Sequence, residues 1–342
     1  MSQTECSPLD LSGLMVRVLR ALLVLALAPV APSLAQMLEA TLRGTVTDET
    51  GSGLPGVTIA TRQVDTGVVR LTVTSSSGTY LLAALPTGQY RVTLQLAGFK
   101  TIVHEDLELS AGRSALVNFT MALAAREETV TVRGDAPLVD SADSSLSGRI
   151  EPEQIENLPL NGRDWLDLVA LVPGARGNPG TVRAGAAGAD TAKYQVDGLD
   201  VSNQASGGSN QRYGLESLAE FQVLTNRFDA EYGRVGGIVI NAVTKSGTNQ
   251  WRGTGFGFLR DDRFDAKNFF TNRVSPFHEK QIGMTSGGPI VRDRAHWFAS
   301  YEHQIRDITA RPNTGIAQFD VDASQDIARH LSSLRVDTQL TR

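Results

Sequence analysis

The polar and apolar positions of this chain alternate with a period of two far more often than with a helical period. Tyr90, Val92, Leu94 and Leu96 alternate with Arg91, Thr93 and Gln95, which puts the apolar set on one face of a strand. Ala115, Val117, Phe119, Met121 and Leu123 repeat the pattern. Shorter strands are predicted at 42–47, 57–62, 69–74 and 79–82, with turns at Gly51-Ser52-Gly53, Pro55-Gly56, Ser77-Gly78 and Pro86-Thr87-Gly88. About six or seven short strands at this spacing predict a small β-sandwich over residues 39–123.

Alternation returns near the end. Leu334, Val336, Thr338 and Leu340 alternate with Arg335, Asp337 and Gln339, and Arg252, Thr254, Phe256 and Phe258 oppose Trp251, Gly253, Gly255 and Gly257. An apolar face backed by a charged one suits a strand with lipid outside and a wet lumen inside. Two more strands are expected at 280–287 and 296–303, joined by a short turn holding Gly287-Gly288-Pro289 and Arg292-Asp293-Arg294. The stretch between, 135–248, is mixed. A helical turn is expected from Pro152 to Leu158. A helix is expected from Arg163 to Leu171, with Trp165, Leu166, Leu168, Val169 and Leu171 apolar and Pro173-Gly174 as its stop. Strands are expected around Tyr194–Leu199, at 220–225 and at 236–245.

The start of the chain changes the picture, because it predicts export. Arg17 and Arg20 precede the apolar run ALLVLALA at 21–28, Pro29 and Pro32 break the run, and Ser33-Leu34-Ala35 offers a cleavage site after Ala35. The run is far below the roughly 20 residues needed to span a bilayer. Residues 15–36 make a complete signal by themselves, so Met15 serves as a start as well as Met1. Composition adds exclusions. A net charge of -5 argues against nucleic acid, and the single cysteine, Cys6, excludes an internal disulfide or a thiolate metal cluster.

No catalytic constellation is found. Lys245-Ser246-Gly247 lacks the Ser-x-x-Lys partner of penicillin-binding enzymes, and there is no G-x-S-x-G. Gly233-Arg234-Val235-Gly236-Gly237 lacks phosphate-loop spacing, and Asp197 and Asp200 offer too few oxygens for calcium. No metal site and no cofactor are expected. His104 reads as a lone histidine.

Two stretches resemble known families. GTVTDETGSGLPGVTI at 44–59 and SGTYLLAALPTGQYRVTLQLAGFK at 77–100 resemble the carboxypeptidase regulatory-like domain, a transthyretin-like sandwich whose name implies no peptidase activity. LPLNGRDWLDLVALVPG at 158–174, YQVDGLDV at 194–201, LAEFQVLTNRFDAEYGRVGGIVINAVTKSGTN at 218–249 and RFDAKNFF at 263–270 resemble the plug of TonB-dependent receptors, and SGGPIVRDRAHWFASYE resembles their first barrel hairpins. The plug motif rests on Tyr232, Gly233, Arg234, Gly236, Gly237, Lys245, Ser246 and Gly247. The resemblance implies a mainly β chain: signal peptide 1–35, sandwich 39–123, hinge 124–134, an α+β plug at 135–248, and the first strands of an incomplete transmembrane β-barrel at 249–342. About four strands fall after residue 249, where receptors of this kind use about 22. The chain is thus expected to be a truncated product.

Within the hinge, Glu128, Thr129, Val130, Thr131 and Val132 read either as the first strand of the next domain or as a TonB box. Pairing there would be strand addition, with backbone hydrogen bonds giving affinity. The implied partners are TonB with its inner-membrane energising complex, outer-membrane lipid, and an extracellular ligand such as a carbohydrate, a peptide or a chelate. The implied location is the outer membrane of a Gram-negative-type envelope. The other reading is an exported carbohydrate- or protein-binding adaptor of the periplasm or cell surface.

Overall fold

A computed structural model describes residues 39–124, 129–133, 146–150, 154–155, 160, 163–172, 175–178, 181–184, 192–203, 208–225, 238–267, 269, 272, 274, 276–310 and 323–339. The expected export signal, Glu128 and most of the turn from Pro152 to Leu158 lie outside these residues, as do Tyr232, Gly233, Arg234, Gly236 and Gly237 of the plug motif.

The first region contains β1 (Ala40–Asp48), β2 (Thr58–Gln63), β3 (Val69–Val73), β4 (Thr79–Leu85), β5 (Gly88–Gln95), β6 (Thr101–Leu109), β7 (Ser114–Leu116), β8 (Phe119–Met121) and β9 (Thr129–Arg133). One sheet runs β4-β1-β7, with β8 also paired to β1; the other runs β3-β2-β5-β6-β9. The alternation anticipated for Tyr90, Val92 and Leu94 is realised: all three are buried, with Leu42, Val46, Ile59, Leu107 and Met121, in the core between the sheets. Burial of this apolar set is the main force holding the sandwich. Within the first sheet the link between β7 and β8 crosses close over β1 at Gly44, where a Cβ would clash with the Val117 carbonyl oxygen.

The middle region contains β10 (Leu146–Ile150), β11 (Ala175–Asn178), β12 (Thr181–Ala184), β13 (Ala192–Val196), β14 (Leu199–Asp200), β15 (Ser202–Asn203), β16 (Gly208–Ser209), β17 (Leu218–Thr225) and β18 (Ile238–Thr244). Its main sheet has the order β10-β17-β18-β13-β14. The expected helix is a 3-10 helix, Trp165–Leu171. Asp164 caps it, its carboxylate accepting from the Leu166 N–H. The segment is short, and burial of Trp165, Leu166, Leu168 and Val169 on the sheet dictates its winding more than helix propensity does.

The last region is one antiparallel sheet of β19 (Arg252–Asp261), β20 (Phe277–Val291), β21 (Ala295–Ala310) and β22 (Ala323–Thr338), in that order. The strands run well beyond the limits expected from sequence. Gly287-Gly288-Pro289 is not part of the turn but lies within β20. A Cβ on Gly288 would lie 2.8 Å from the Trp251 ring and one on Gly287 3.0 Å from the Trp297 carbonyl oxygen, so these glycines make room for neighbours. The chain reverses over Arg292–Arg294 alone.

Candidate functional site

The barrel-type sheet is inside out compared with a soluble one. Among its described residues, Glu279, Gln281, Glu302 and Gln304 are buried, while Ile282, Met284, Leu334 and Val336 are exposed. Leu334 is 73% exposed and Glu302 5%. Water would drive the reverse arrangement, because exposed apolar area is unfavourable and buried carboxylates are costly. The pattern fits a wall with hydrocarbon on the Leu334 side and polar contents on the Glu302 side. On the outer face Trp251 and Trp297 meet edge to face, ring centroids 5.6 Å apart, near the Arg292–Arg294 turn. Aromatic residues of this kind mark the edge of a membrane band. No helix among the described residues is long and apolar enough to cross a membrane.

The polar side of the wall bonds to the middle region. Arg335 Nη1 donates to the Thr244 carbonyl at 2.8 Å and lies 3.3 Å from Asp197 Oδ1. Asp197 also accepts from the Thr244 N–H at 2.9 Å and from its hydroxyl at 2.6 Å. Asp197 holds a positive φ of 49° in the tight turn between β13 and β14, which aims its carboxylate at the end of β18. Asp337 closes the set with 2.9 and 3.0 Å bonds from Arg335 Nε. One guanidinium therefore ties two middle-region elements to one barrel strand, in the forked geometry suited to arginine.

Further along the seam, Arg163 Nη2 donates to Glu216 at 2.6 Å, and its guanidinium stacks 4.0 Å from the Phe258 ring centroid. Asp164 caps the helix through Oδ1 and pairs with Arg212 through Oδ2. Gln281 donates to Glu302, and Arg306 donates to Glu279 at 3.0 Å. Between the middle-region loop and the wall lies a cavity of about 300 Å³ whose lining includes Arg212, Tyr213, Glu216, Tyr301, Glu302 and His330. Its walls offer both charges and aromatic faces, suited to a polar solute of modest size. Burial pushes the Tyr213 hydroxyl above its usual pKa, with the nearby Asp197 adding to it, so it stays protonated.

At the other end, the sandwich sits against the barrel rim. Asp65 accepts from the Asn249 N–H at 2.8 Å through its carbonyl and pairs with Arg252 at 3.3 Å through its carboxylate. Arg62 and Asp293 are 3.5 Å apart. A Cβ on Gly67 would lie 1.8 Å from Asp293 Oδ1. Glu220 of β17 accepts from the Ala111 N–H of the sandwich at 3.2 Å. These contacts border a larger cavity, about 700 Å³, among sandwich, middle sheet and wall.

Of the sequence-predicted residues, Thr129–Val132 fall in β9, which adds to the sandwich sheet in parallel register with Thr101–His104 of β6. Lys245, Ser246 and Gly247 link β18 to β19. The Lys245 N–H donates to the Ser217 carbonyl at 2.8 Å. Gly247 is pressed on the wall, where a Cβ would be 2.2 Å from the Trp297 carbonyl oxygen. Sequence reasoning missed the roles of Arg335, Thr244 and Glu220, since their partners are far away in the chain. It also missed Asp261, Asp262 and His278, whose ligand-type atoms lie within 4.8 Å of one another across a hairpin. Exposed acidic pairs adopt such arrangements without any ion, and nothing further is assigned to this trio.

Known proteins share parts of this chain. Residues 41–122 match the carboxypeptidase regulatory-like domain, and residues 243–320 match an outer membrane beta barrel domain. A curated relative, the TonB-dependent transporter Oar of Myxococcus xanthus, is 27% identical over 245 residues, covering 67% of this chain and 23% of that protein. The chain thus spans about a quarter of the length of this relative. Among solved structures, the siderophore receptor PirA of Acinetobacter baumannii is similar at 20% identity and a TM-score of 0.44, over 58% of this chain and 30% of that one. The outer membrane transporter YddB of Escherichia coli is similar at 18% identity and a TM-score of 0.39, over 55% and 30%. The chain thus joins a regulatory-like domain to part of an outer membrane beta barrel domain, and over two thirds of its length it is similar to a TonB-dependent transporter.

Proposed function

We propose that this receptor takes up an extracellular solute across the outer membrane, with residues 135–248 as the plug that gates the barrel and TonB as the source of work. The observation that carries this is the inverted wall: buried Glu279, Gln281, Glu302 and Gln304 face the middle region while Leu334 and Val336 face outward. A soluble adaptor would gain nothing from that arrangement. Among the described residues the plug meets the wall through polar bonds around Arg335 and not through a shared apolar core, which suits displacement and return. The export signal at 1–35 delivers the chain, with cleavage after Ala35. The solute, whether carbohydrate, peptide or chelate, binds from outside on the plug loops and inner wall, where Arg212, Tyr213 and Phe256 line the smaller cavity. No step of covalent chemistry is required, and the receptor is read as a non-enzyme.

TonB, with its inner-membrane complex, pairs with Glu128, Thr129, Val130, Thr131 and Val132. Thr129, Val130 and Thr131 have exposed side chains, so recognition would run through the backbone and tolerate loose sequence. Val130→Pro removes a backbone donor and should weaken capture by a TonB C-terminal domain about tenfold, whereas Thr131→Ser should change it little. Equal capture of the proline variant would remove these residues from consideration as the box.

A further inference from the structure

β9 is not a free tail. It is the outermost strand of the sandwich sheet, paired with β6 from Thr101↔Thr129 to Glu105↔Arg133. The side chains of Thr129, Val130 and Thr131 are exposed, so backbone bonds along β6 hold β9 in place more than packing does. Parallel pairing of this kind is slightly weaker per residue than antiparallel pairing. Five residues so held can leave at modest cost. The sandwich that carries this template is held to the rim through Arg62–Asp293 and Asn249–Asp65 and to β17 through Ala111–Glu220.

A strand has two edges, and a partner could in principle use the outer edge of β9 while β6 keeps the inner one. That arrangement would direct any pull into the sandwich sheet, whose core is continuous. A pull reaches β10 and the middle sheet only after β9 has left β6. We propose that the β6 edge of the regulatory-like sandwich is the resting partner of the coupling strand, and that TonB and the sandwich compete for it. The inference rests on residues 128–132 being the TonB box. The sandwich then keeps the box in a defined, unreactive position and releases β6 as an open edge whenever TonB engages.

Hydrogen exchange on the whole receptor, with and without a TonB C-terminal domain, tests this. Free receptor should protect Thr101–Glu105 and Thr129–Arg133 together. Adding TonB should speed exchange of the β6 amides that face β9 by about tenfold or more, while residues 129–133 stay protected. Unchanged β6 protection with TonB bound would overturn competition and favour the outer edge. A second arm uses Val103→Cys with Thr131→Cys, neighbours in register, in the chain cleaved after Ala35, which has lost Cys6. The oxidised form should bind TonB about tenfold more weakly than the same protein reduced. Equal binding with the bond verified would also overturn the proposal. If Val130→Pro leaves capture of the unmodified receptor unchanged, the box assignment itself fails, and competition fails with it.

Discussion

Trp165 shows how one residue organises the plug. It is fully buried and meets Tyr194, Tyr213 and Phe221 edge to face, with ring centroids 6.4, 5.8 and 6.0 Å away. Such edge contacts add to the area term. Trp165→Ala should cost about 3–5 kcal/mol of plug stability, read as a lower denaturant midpoint for the plug with the sandwich transition unmoved. Asp48 offers a titratable counterpart in the sandwich. The Thr50 hydroxyl, and then the Ser52 N–H, hold its carboxylate below the usual range. A depressed folded pKa means that the stabilisation is full above the unfolded value and is lost as pH falls through the folded one. Thermal midpoints of the wild type and Asp48→Asn should therefore differ near neutral pH and converge in strong acid. A gap that persists in acid would point to a cause other than charge.

At the scale of elements, the wall strands carry the membrane argument, and a substitution tests it directly. Leu334→Arg puts a charge on the lipid side and should destabilise the assembled barrel by about 2–4 kcal/mol if residue 334 lies near the midplane. The readout is loss of heat-resistant mobility and of outer-membrane recovery; full recovery would place Leu334 outside the bilayer. This element was legible in the sequence because a half-apolar strand writes its two faces as alternation, as in Leu334–Gln339. The limits of β20 and β21 were not, because polar residues at their far ends pair through backbone groups that no side-chain pattern reports. The helix at 163–171 was half legible: its apolar set is buried, but a segment so short takes 3-10 winding from its contacts. The link from Arg335 to Asp197 spans 138 positions, and no local signal can announce a partner at that distance. Residues 128–132 read either as a box or as the first strand of the next domain; the structure pairs Thr129–Arg133 with β6 of the preceding sheet, a pairing encoded in register and not in composition.

At the scale of the whole molecule, the sandwich docks on the barrel rim mainly through polar contacts. The Arg62–Asp293 and Arg252–Asp65 pairs are about half exposed, so each contributes about 0–1 kcal/mol and is screened by salt. Raising ionic strength, or making Asp293→Ala, should loosen docking without unfolding the sandwich. The expected sign is faster hydrogen exchange at Gln63 and Gly67, whose N–H groups bond within their own hairpin, while the β1 core amides stay protected. Unchanged exchange at both would mean that the backbone bond from Asn249 to Asp65 suffices.

The direction of β10 has a mechanical consequence. β18 ends at Thr244 beside the rim, β17 runs opposite to it, and β10 runs opposite to β17, pairing from Leu146↔Thr225 to Ile150↔Phe221. The chain therefore enters β10 at the end remote from the rim. A tug along the backbone toward the rim bends the Leu146 end back on itself, like a strip of tape drawn back over its own length. The pairs with β17 are loaded one after another, never all at once. A zipper of this kind opens at low tension, whereas the same bonds loaded in shear would resist together. The plug is thus wired to yield to a weak, steady tension applied from the side on which the sandwich sits.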